Sequence, residues 1–250
     1  MELKFSTWQE VERYLQDSKA IIIPIGSTEQ HGPNGLIGTD ALCPEALALE
    51  LGEQTGALIA PTISVGMAQH HLAFPGSITL RPSTLIQVIF DTVNSLAQHG
   101  FERFFFLNGH GGNIATVNAA FSEIYAQASL GVKPEAYSNV RCQLKNWWEA
   151  AGVMALSREL FGDADGSHAT CGEVSLTQYA YPHSIKSAEM HPPIAPNGPI
   201  YDAQDYRRRF PDGRIGSNPS LANPDAGKAL FDKALSGLIA DFQRFERAEG

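Results

Sequence analysis

Apolar residues along the chain alternate between short runs and longer stretches with helical spacing. Ala20–Ile25 (AIIIPI) is apolar throughout, which is typical of a strand buried on both faces. Residues 84–98 carry apolar side chains at helical spacing and end just before Gly100, a common stop signal. Further strands are predicted at 57–65, 101–107 and 136–140, and further helices at 41–52 and 114–128. This alternation predicts an α/β fold with a largely parallel sheet.

The helix starts and the second half of the chain are less regular. Asp40 and Asn113 stand where the N-caps of the helices at 41–52 and 114–128 would lie. Residues 147–181 are predicted to be mostly helical with a polar interruption at 162–166. Residues 191–224, rich in Pro, Gly and Asn, are predicted to form a long ordered surface loop or arm. An amphipathic helix is then expected from Leu221 or Asp225 to Phe245.

No internal repeat or low-complexity tract divides the chain. Its 250 residues are enough for one domain with a sizeable core. We therefore expect a single domain, residues 1–250, built as a three-layer α/β/α sandwich around the parallel sheet.

Composition excludes several classes of protein. Lys and Arg total 18 against 27 Asp and Glu, a net charge of −9, so the surface repels nucleic-acid backbones and anionic membranes. The N-terminal segment shows no signal-peptide or transit-peptide pattern, and no apolar run approaches the ~20 residues of a membrane span. Three widely separated cysteines argue against a disulfide framework or a thiolate zinc site. A cytoplasmic protein with no nucleic-acid or membrane partner is expected.

Two polar loops follow predicted strands, where open α/β sheets place their sites. The loop after the first strand carries Glu29, His31 and Asp40, and the sequence NGHGGN after the strand at 101–107 carries His110. Glu29 and His31 project to the same side of extended backbone because they are two residues apart. Carboxylates and imidazoles from adjacent strand ends predict a site for Zn, Mn or Fe.

A third segment, SHATCGEVS, adds His168 and Glu173 ahead of an apolar stretch. Five residues apart, they do not share one helical face, so one of them is expected at a helix start. An inward functional role and a simple capping or solvated pair are both compatible with this pattern. The adjacent His70 and His71 would point to opposite sides of a strand, so at most one of them is expected to face a site.

Ordinary structural roles compete with these functional interpretations. Glu29 could be solvated at a strand end, Asp40 could be only a helix cap, and a Gly-rich turn such as NGHGGN could cradle a phosphate. A non-catalytic phospholigand-binding protein is therefore an alternative, although the chain lacks G-x-G-x-x-G and a Walker lysine there. Trp147 and Trp148 could cover a ligand or belong to the core or an interface. Cys171 is expected to be a small buried residue and not a nucleophile.

Four segments together resemble the creatininase (creatinine amidohydrolase) family. They are IPIGSTEQHGPNGLIGTD, HHLAFPGSITL, FLNGHGGN and SHATCGEVSL, and a fainter echo is GRIGSNPSLANPDAGKAL. In the family's order they span the chain from about residue 20 to residue 230. The resemblance implies a creatininase-like fold and a homo-oligomer, since similar members commonly form hexamers.

The resemblance also implies a binuclear centre with two divalent ions per chain. Glu29 and His110 would bind one ion, His31 the other, and Asp40 would bridge both. Glu173 is expected to complete the metal set and to act in catalysis, and His168 matches the family's catalytic histidine.

Departures from the family pattern bear on the substrate. Gly112 stands where creatininase has a glutamate, and Asn34 stands where many relatives have histidine. Residues 162–166 contain no aromatic residue, where creatininase has a tryptophan. These differences argue against creatinine itself.

The activity implied is that of a metal-dependent amidohydrolase acting on the C–N bond of a small cyclic amide. A hydroxide bridging two ions would attack the carbonyl, and His168 would stabilise the intermediate or protonate the leaving nitrogen. A formamide deformylase and a peptidase, both known in this family, are the alternatives.

Overall fold

A parallel sheet forms the centre of the protein. The computed structural model describes residues 1–132 and 138–248. Across those residues the sheet has four strands: β1 (Ala20–Ile25), β2 (Leu58–Ile59), β3 (Arg103–Asn108) and β4 (Arg141–Asn146). Their order is β2-β1-β3-β4, with every pairing parallel. β1 and β3 are therefore central neighbours, and Ile25 lies opposite Asn108 where both strands end.

Helices cover both faces of this sheet. Ile21 and Ile23 of β1 pack towards one face, and Ile22 packs towards the other, as the two-residue period of a strand requires. The first face is covered by α1 (Trp8–Asp17), α3 (Pro82–Ala97) and α4 (Ile114–Ser129). The second is covered by α2 (Thr39–Thr55), α5 (Val153–Phe161), α6 (Cys171–Ala180) and α8 (Pro224–Arg247). The predicted three-layer α/β/α sandwich is confirmed.

The outer strands differ from their predicted positions. β2 has only two residues, because the pairing shifts after Ala60: the next N–H to donate to β1 is that of Ile63, to the Pro24 carbonyl, and a single bridge from Ile25 to Ile63 continues the pairing. The fourth strand was predicted at 136–140, where residues 136 and 137 lie outside the described part of the chain. Residues 138–140 form no strand, and β4 begins at Arg141. Its polar, half-exposed sequence is typical of an edge strand and not of the apolar run expected.

One predicted helix cap is wrong, and the other holds only in position. α2 begins at Thr39 with Gly38 as its N-cap, so Asp40 lies inside the first turn. Asn113 is the N-cap residue of α4, as predicted, but its side chain makes no capping hydrogen bond. Its side chain instead donates to the Gly26 carbonyl (2.9 Å) and accepts from the Met67 N–H (3.0 Å). It therefore ties three loops together beside the sheet edge.

The segment at 191–224 is not the surface loop that was predicted. It contains α7 (Ala203–Arg209), and the side chains of Tyr206 and Arg214 are fully buried. The Arg214 guanidinium donates to the Asp212 carboxylate (2.7 and 2.9 Å) and to three backbone carbonyls, those of Pro192, Pro193 and Ser217. A buried arginine with this many acceptors fixes the segment against the body of the protein.

The structure bears on two expectations from composition, those about membrane spans and about the cysteines. Within residues 1–132 and 138–248, no helix combines the length and apolar character needed to cross a membrane. Cys43, Cys142 and Cys171 are all free. Cys171 is buried, its Sγ donates to the carbonyls of Ala164 and Asn218, and burial raises the pKa of its thiol to about 12.

Candidate metal centre

The polar loops that follow β1 and β3 meet at one edge of the sheet. They meet because the two strands are parallel neighbours that end in register. Glu29 and His31 come from the first loop, Asp40 from the first turn of α2, and His110 from the second loop. All four side chains are buried. Gly26 and Gly109 make the close approach possible, since a Cβ at either position would collide with the Asp40 carbonyl.

Asp40 lies at the middle of this cluster. Its Oδ1 is 2.9 Å from His31 Nε2, and its Oδ2 is 2.9 Å from His110 Nδ1. The other nitrogen of His110 is 3.3 Å from Glu29 Oε2, which also accepts a hydrogen bond from Ser27 Oγ (2.7 Å). One carboxylate thus contacts imidazoles from two separate loops.

Glu173 reaches the cluster from the start of α6. Thr170 is the N-cap of this helix, and Glu173 at N3 completes a reciprocal capping box with it. Glu173 Oε1 lies 3.9 Å from His31 Nε2. The structural and the functional interpretations of Glu173 are therefore compatible, because one side chain caps the helix and faces the cluster.

His168 lies just before α6 and beside the cluster. Its Nε2 is 2.8 Å from the Gln30 carbonyl oxygen, and its Nδ1 is 3.8 Å from Glu29 Oε1. Residues of the segment at 191–224 hold its backbone, since Ile215 bridges to it and Ser217 Oγ donates to its carbonyl (2.7 Å). This segment therefore helps to position the candidate catalytic histidine.

His70 and His71 both reach the site, which corrects the expectation that at most one would. They form a 3-10 turn (Gln69–His71) and not a strand, so their rings lie 4.3 Å apart on the same side. His71 is buried, with Nε2 3.0 Å from Glu29 Oε1. The adjacent histidines in the sequence did indicate the site, but the strand predicted for them was wrong.

Burial and neighbouring charges perturb every titratable group of the cluster. Burial raises the pKa of Glu29, and it raises that of Glu173 to about 7. Burial raises the pKa of Asp40 as well, but His31 and His110 outweigh it and hold that pKa well below its usual range. Burial lowers the pKa of both histidines, yet nearby carboxylates raise it to about 10 for His31 and about 9 for His110.

The pKa values of His71 and His168, which lie beside the metal cluster, shift in the opposite direction. Burial lowers the pKa of His71 to about 2, and other histidines add to this effect. Burial also lowers the pKa of His168 well below its ordinary value, with His31 and His71 contributing. Burial thus favours the neutral form of both rings, in which one nitrogen carries the hydrogen and the other can accept a hydrogen bond.

The donor set fits divalent metal ions. Three groups bring one ligand atom from each member within 4.8 Å of the others: Glu29, Asp40 and His110; His31, Asp40 and Glu173; and Glu29, His31 and His168. The first two groups share Asp40. Glu29 Oε1 and Asp40 Oδ2 are buried, and among the described residues neither accepts a well-aligned hydrogen bond, although an imidazole nitrogen lies 3.0 and 2.9 Å away, respectively. Buried carboxylate oxygens without such a bond, next to imidazoles, are what Zn, Mn or Fe would satisfy.

Gly112 cannot supply a ligand to this centre. A Cβ added there would collide with His110 Nε2 and the Met67 carbonyl oxygen. A glutamate at this position would displace the imidazole next to it. The third carboxylate near this cluster is that of Glu173, from α6.

A cleft of about 820 Å³ opens over the cluster. Its lining also includes Trp147, Trp148, Met154 and Arg158. Trp147 is buried in the core, whereas Trp148 and Met154 keep exposed surface. The tryptophans thus border the cleft, although they lie well before 162–166 in the chain.

This chain is similar to known proteins in sequence and in fold. A family model described as Creatininase, creatinine amidohydrolase, matches residues 4–242. The creatinine amidohydrolase of Pseudomonas putida is 27% identical over 96% of this chain and 95% of its own length. The 3-dehydro-scyllo-inosose hydrolase of Thermotoga maritima is 32% identical over 96% of this chain and 80% of its own length.

Solved structures agree with the sequence comparison. A structure titled creatininase Mn superposes with a TM-score of 0.86 at 22% identity, covering 99% of both chains. At that identity the superposition shows the fold alone, and the family assignment depends on the sequence match over residues 4–242. The chain belongs to the creatininase family and is a hydrolase of that family.

Proposed function

We propose that this chain hydrolyses a C–N bond of a small cyclic amide with two divalent ions held by five side chains. They are Glu29, His31, Asp40, His110 and Glu173. The observation that carries this proposal is the pair of three-residue groups that share Asp40. A carboxylate common to two groups, with one oxygen near each imidazole, suits a bridge between two ions.

When bound, the ions would activate a water molecule and polarise the amide carbonyl. The chain's own residues would orient the reacting groups. His168 is anchored through Nε2 to the Gln30 carbonyl, so its Nδ1 is the atom that faces the site. We propose that this unprotonated atom would take a proton from the attacking water and pass it to the leaving nitrogen. Glu173 would complete the set around His31 and place α6 beside the reacting groups.

The cleft supports a small ring as substrate. Its volume of about 820 Å³ lies in the usual range for small-molecule sites. Trp148 and Met154 line the same cleft as the metal cluster and keep exposed apolar surface, and a planar amide ring stacks well on indole. The steric exclusion at Gly112 separates this site from that of creatininase itself, so creatinine is not the substrate proposed.

The phospholigand alternative is poorly supported. His110, at the centre of NGHGGN, turns towards Asp40 and Glu29. These buried carboxylates would repel a phosphate bound against the same loop. Formamides and peptides fit the same catalytic groups, so they are included in the substrate test.

We also propose that the protein acts in the cytoplasm as a homo-oligomer. Phe5 and Trp8 are 79% and 70% exposed, which is unusual for aromatic side chains in a monomer. Three free cysteines suit a reducing compartment. Light scattering after gel filtration would give the assembly, and a monomeric mass would reject this part of the proposal.

Metal content and turnover test the function together. We expect about two ions per chain by elemental mass spectrometry, and hydrolysis of at least one cyclic amide that stops with chelator and returns with Zn or Mn. Asp40→Asn should lose both ions. Asp241→Asn is the matched control, because it removes the same charge from an aspartate that pairs with Lys145 away from the cluster.

Each other outcome has a defined meaning. One ion per chain would reject the bridging role of Asp40. No ion after reconstitution would reject the metal-dependent mechanism. Turnover confined to formamides or to peptides would replace the cyclic amide with one of those classes.

A further inference from the structure

Gln30 lies between two proposed metal ligands but directs its side chain away from the metal cluster. It is buried, with 7% of its surface exposed. Its amide nitrogen Nε2 lies close to four groups, which are His71 Nδ1 (3.1 Å), His168 Nε2 (3.0 Å), Tyr206 Oη (3.1 Å) and the Gly213 carbonyl oxygen (2.9 Å). The side chain thus contacts both His71 and His168.

Hydrogen bonds define which end of the Gln30 amide is nitrogen. Its Oε1 accepts from the backbone N–H of Gly32 (2.8 Å), so the opposite end is the NH2 group. The Gly213 carbonyl can only accept, and it takes one of the two hydrogens. One hydrogen remains for the other neighbours.

The tautomer of His168 follows from its contact with the Gln30 backbone. The Gln30 carbonyl oxygen, 2.8 Å from His168 Nε2, can only accept, so this nitrogen carries the hydrogen. Nδ1 is 3.8 Å from Glu29 Oε1, too far for a hydrogen bond, so no such contact holds a second hydrogen on the ring and the Nε2–H tautomer is expected. The 3.0 Å approach between the Gln30 and His168 Nε2 atoms is a packing contact, since both carry hydrogen.

His71 is the imidazole that can accept the remaining hydrogen. Tyr206 Oη donates to the Gly213 carbonyl (2.7 Å) and is a second acceptor for the same Gln30 hydrogen. With Nδ1 accepting, the neutral His71 ring carries its hydrogen on Nε2, 3.0 Å from Glu29 Oε1. A hydrogen at this position suits the neighbouring carboxylate, which can only accept.

We propose that Gln30 is a positioning residue, which sets the tautomers of His71 and His168 and through them orients Glu29 and the proton-transfer atom. The assignment of catalytic consequences rests on the proposed function, but the tautomers themselves do not. Residues that orient ligands in this indirect way typically contribute 10–100-fold to metal affinity or activity.

The nitrogen resonances of the imidazoles test this directly. In the 15N-labelled, zinc-loaded protein, His71 and His168 should each show an unprotonated Nδ1 and a protonated Nε2. Assignments would come from His71→Gln and His168→Gln. Gln30→Met removes the amide donor and should give His71 a mixture of tautomers. Gln30→Glu presents only acceptors and should place a proton on His71 Nδ1.

The control variant is Gln178→Met. Gln178 is also 7% exposed, but it lies in α6 and outside the cleft. It should leave both imidazole spectra unchanged. With any substrate that the wild type hydrolyses, Gln30→Met should lower kcat about 10–100-fold and change KM less than about threefold, whereas Gln178→Met should change neither.

The wild-type spectrum alone can overturn the proposal, even if the Gln30 variants fail to fold. A hydrogen on Nδ1 of either ring would contradict it, and so would unchanged spectra in folded Gln30→Met and Gln30→Glu. These results would leave the metal count untouched. Failure of the proposed function would instead appear as missing ions or missing turnover with the tautomers as predicted.

Discussion

The Oε1 atom of Glu173 accepts a 2.6 Å hydrogen bond from the backbone N–H of Thr170. The same oxygen lies 3.9 Å from His31 Nε2. One oxygen atom of Glu173 thus both caps α6 and faces the metal cluster. A substitution can separate the two roles, because glutamine also serves at the N3 position of a capping box.

Glu173→Gln should keep the fold and lose metal. The amide oxygen preserves the cap, so the melting temperature of the chelator-treated protein should stay within about 2 °C. Loss of the carboxylate should cut the metal content from about two ions to about one. Elemental mass spectrometry beside thermal unfolding would measure both.

Glu10→Gln is its matched control. Glu10 forms the same reciprocal capping box with Thr7 at the start of α1, away from the cluster. It should retain the wild-type metal content. A full complement of ions in Glu173→Gln would show that Glu173 only caps its helix.

Gly112→Ala should damage the centre despite the small size of the change. The added Cβ would collide with His110 Nε2, so the imidazole must move away from Glu29 and Asp40. Zinc affinity, measured by competition with a chromophoric chelator, should fall at least about tenfold.

Gly111→Ala tests whether a loss of zinc affinity would come from reduced flexibility of the loop and not from the collision with His110. A Cβ at Gly111 meets no atom within 4 Å. This variant should bind zinc like the wild type. Equal losses in the two variants would assign the effect to the glycine backbone and not to the collision.

Removing the metal should make stability sensitive to alkaline pH. Burial lowers the pKa of His31 and His110, but the carboxylates raise it to about 10 and about 9. Groups with raised pKa stabilise the fold fully below the unfolded histidine value of ~6.5, and this contribution is lost as pH rises through 9 to 10. The melting temperature in chelator should therefore fall between pH 7 and pH 10.

Two comparisons make this prediction specific. Zinc-loaded protein should show a smaller decline, because coordination already requires unprotonated imidazoles. Asp40→Asn in chelator should also decline less, since it lacks the carboxylate that pairs with both rings. Identical slopes for wild type and Asp40→Asn in chelator would contradict the ion pairs.

Arg214→Lys should destabilise the protein by about 3 kcal/mol in free energy of unfolding, since lysine cannot reproduce the buried fork of hydrogen bonds. The Arg214 side chain is fully buried and contacts Asp212 and three carbonyls. Arg244→Lys, at a side chain 76% exposed, should change stability by less than about 0.5 kcal/mol. Urea denaturation of both variants measures the difference, and equal midpoints would reject this role of Arg214.

The local sequence was sufficient to predict the centre of the fold. β1 is an apolar run that only a doubly covered strand tolerates, and the loop after it carries ligand-type side chains at short spacing. His31 and Asp40 could be placed together because one loop holds both. His110 could be added because its loop follows another strand of the predicted parallel sheet, and such loops meet at the carboxyl edge of the sheet.

Other parts of the site could not be predicted from local pattern. Gln30, His71 and Tyr206 meet only through tertiary packing of three distant segments. The segment at 191–224 has the composition of a surface loop, yet Tyr206 and Arg214 are buried because backbone carbonyls and Asp212 satisfy their polar groups. The composition of a segment does not reveal which hydrogen-bond partners its side chains meet in the fold.

The metal cluster and part of the cleft wall come from different stretches of chain. Four of the five proposed ligands lie between residues 26 and 113, on the loops after β1 and β3 and in the first turn of α2, whereas Trp148, Met154 and Arg158 of the wall lie beyond β4. Mutations in the wall can therefore accumulate without disturbing those four ligands. An ancestral enzyme with this arrangement could change its substrate by drift in one region while selection preserved the reactive centre in the other.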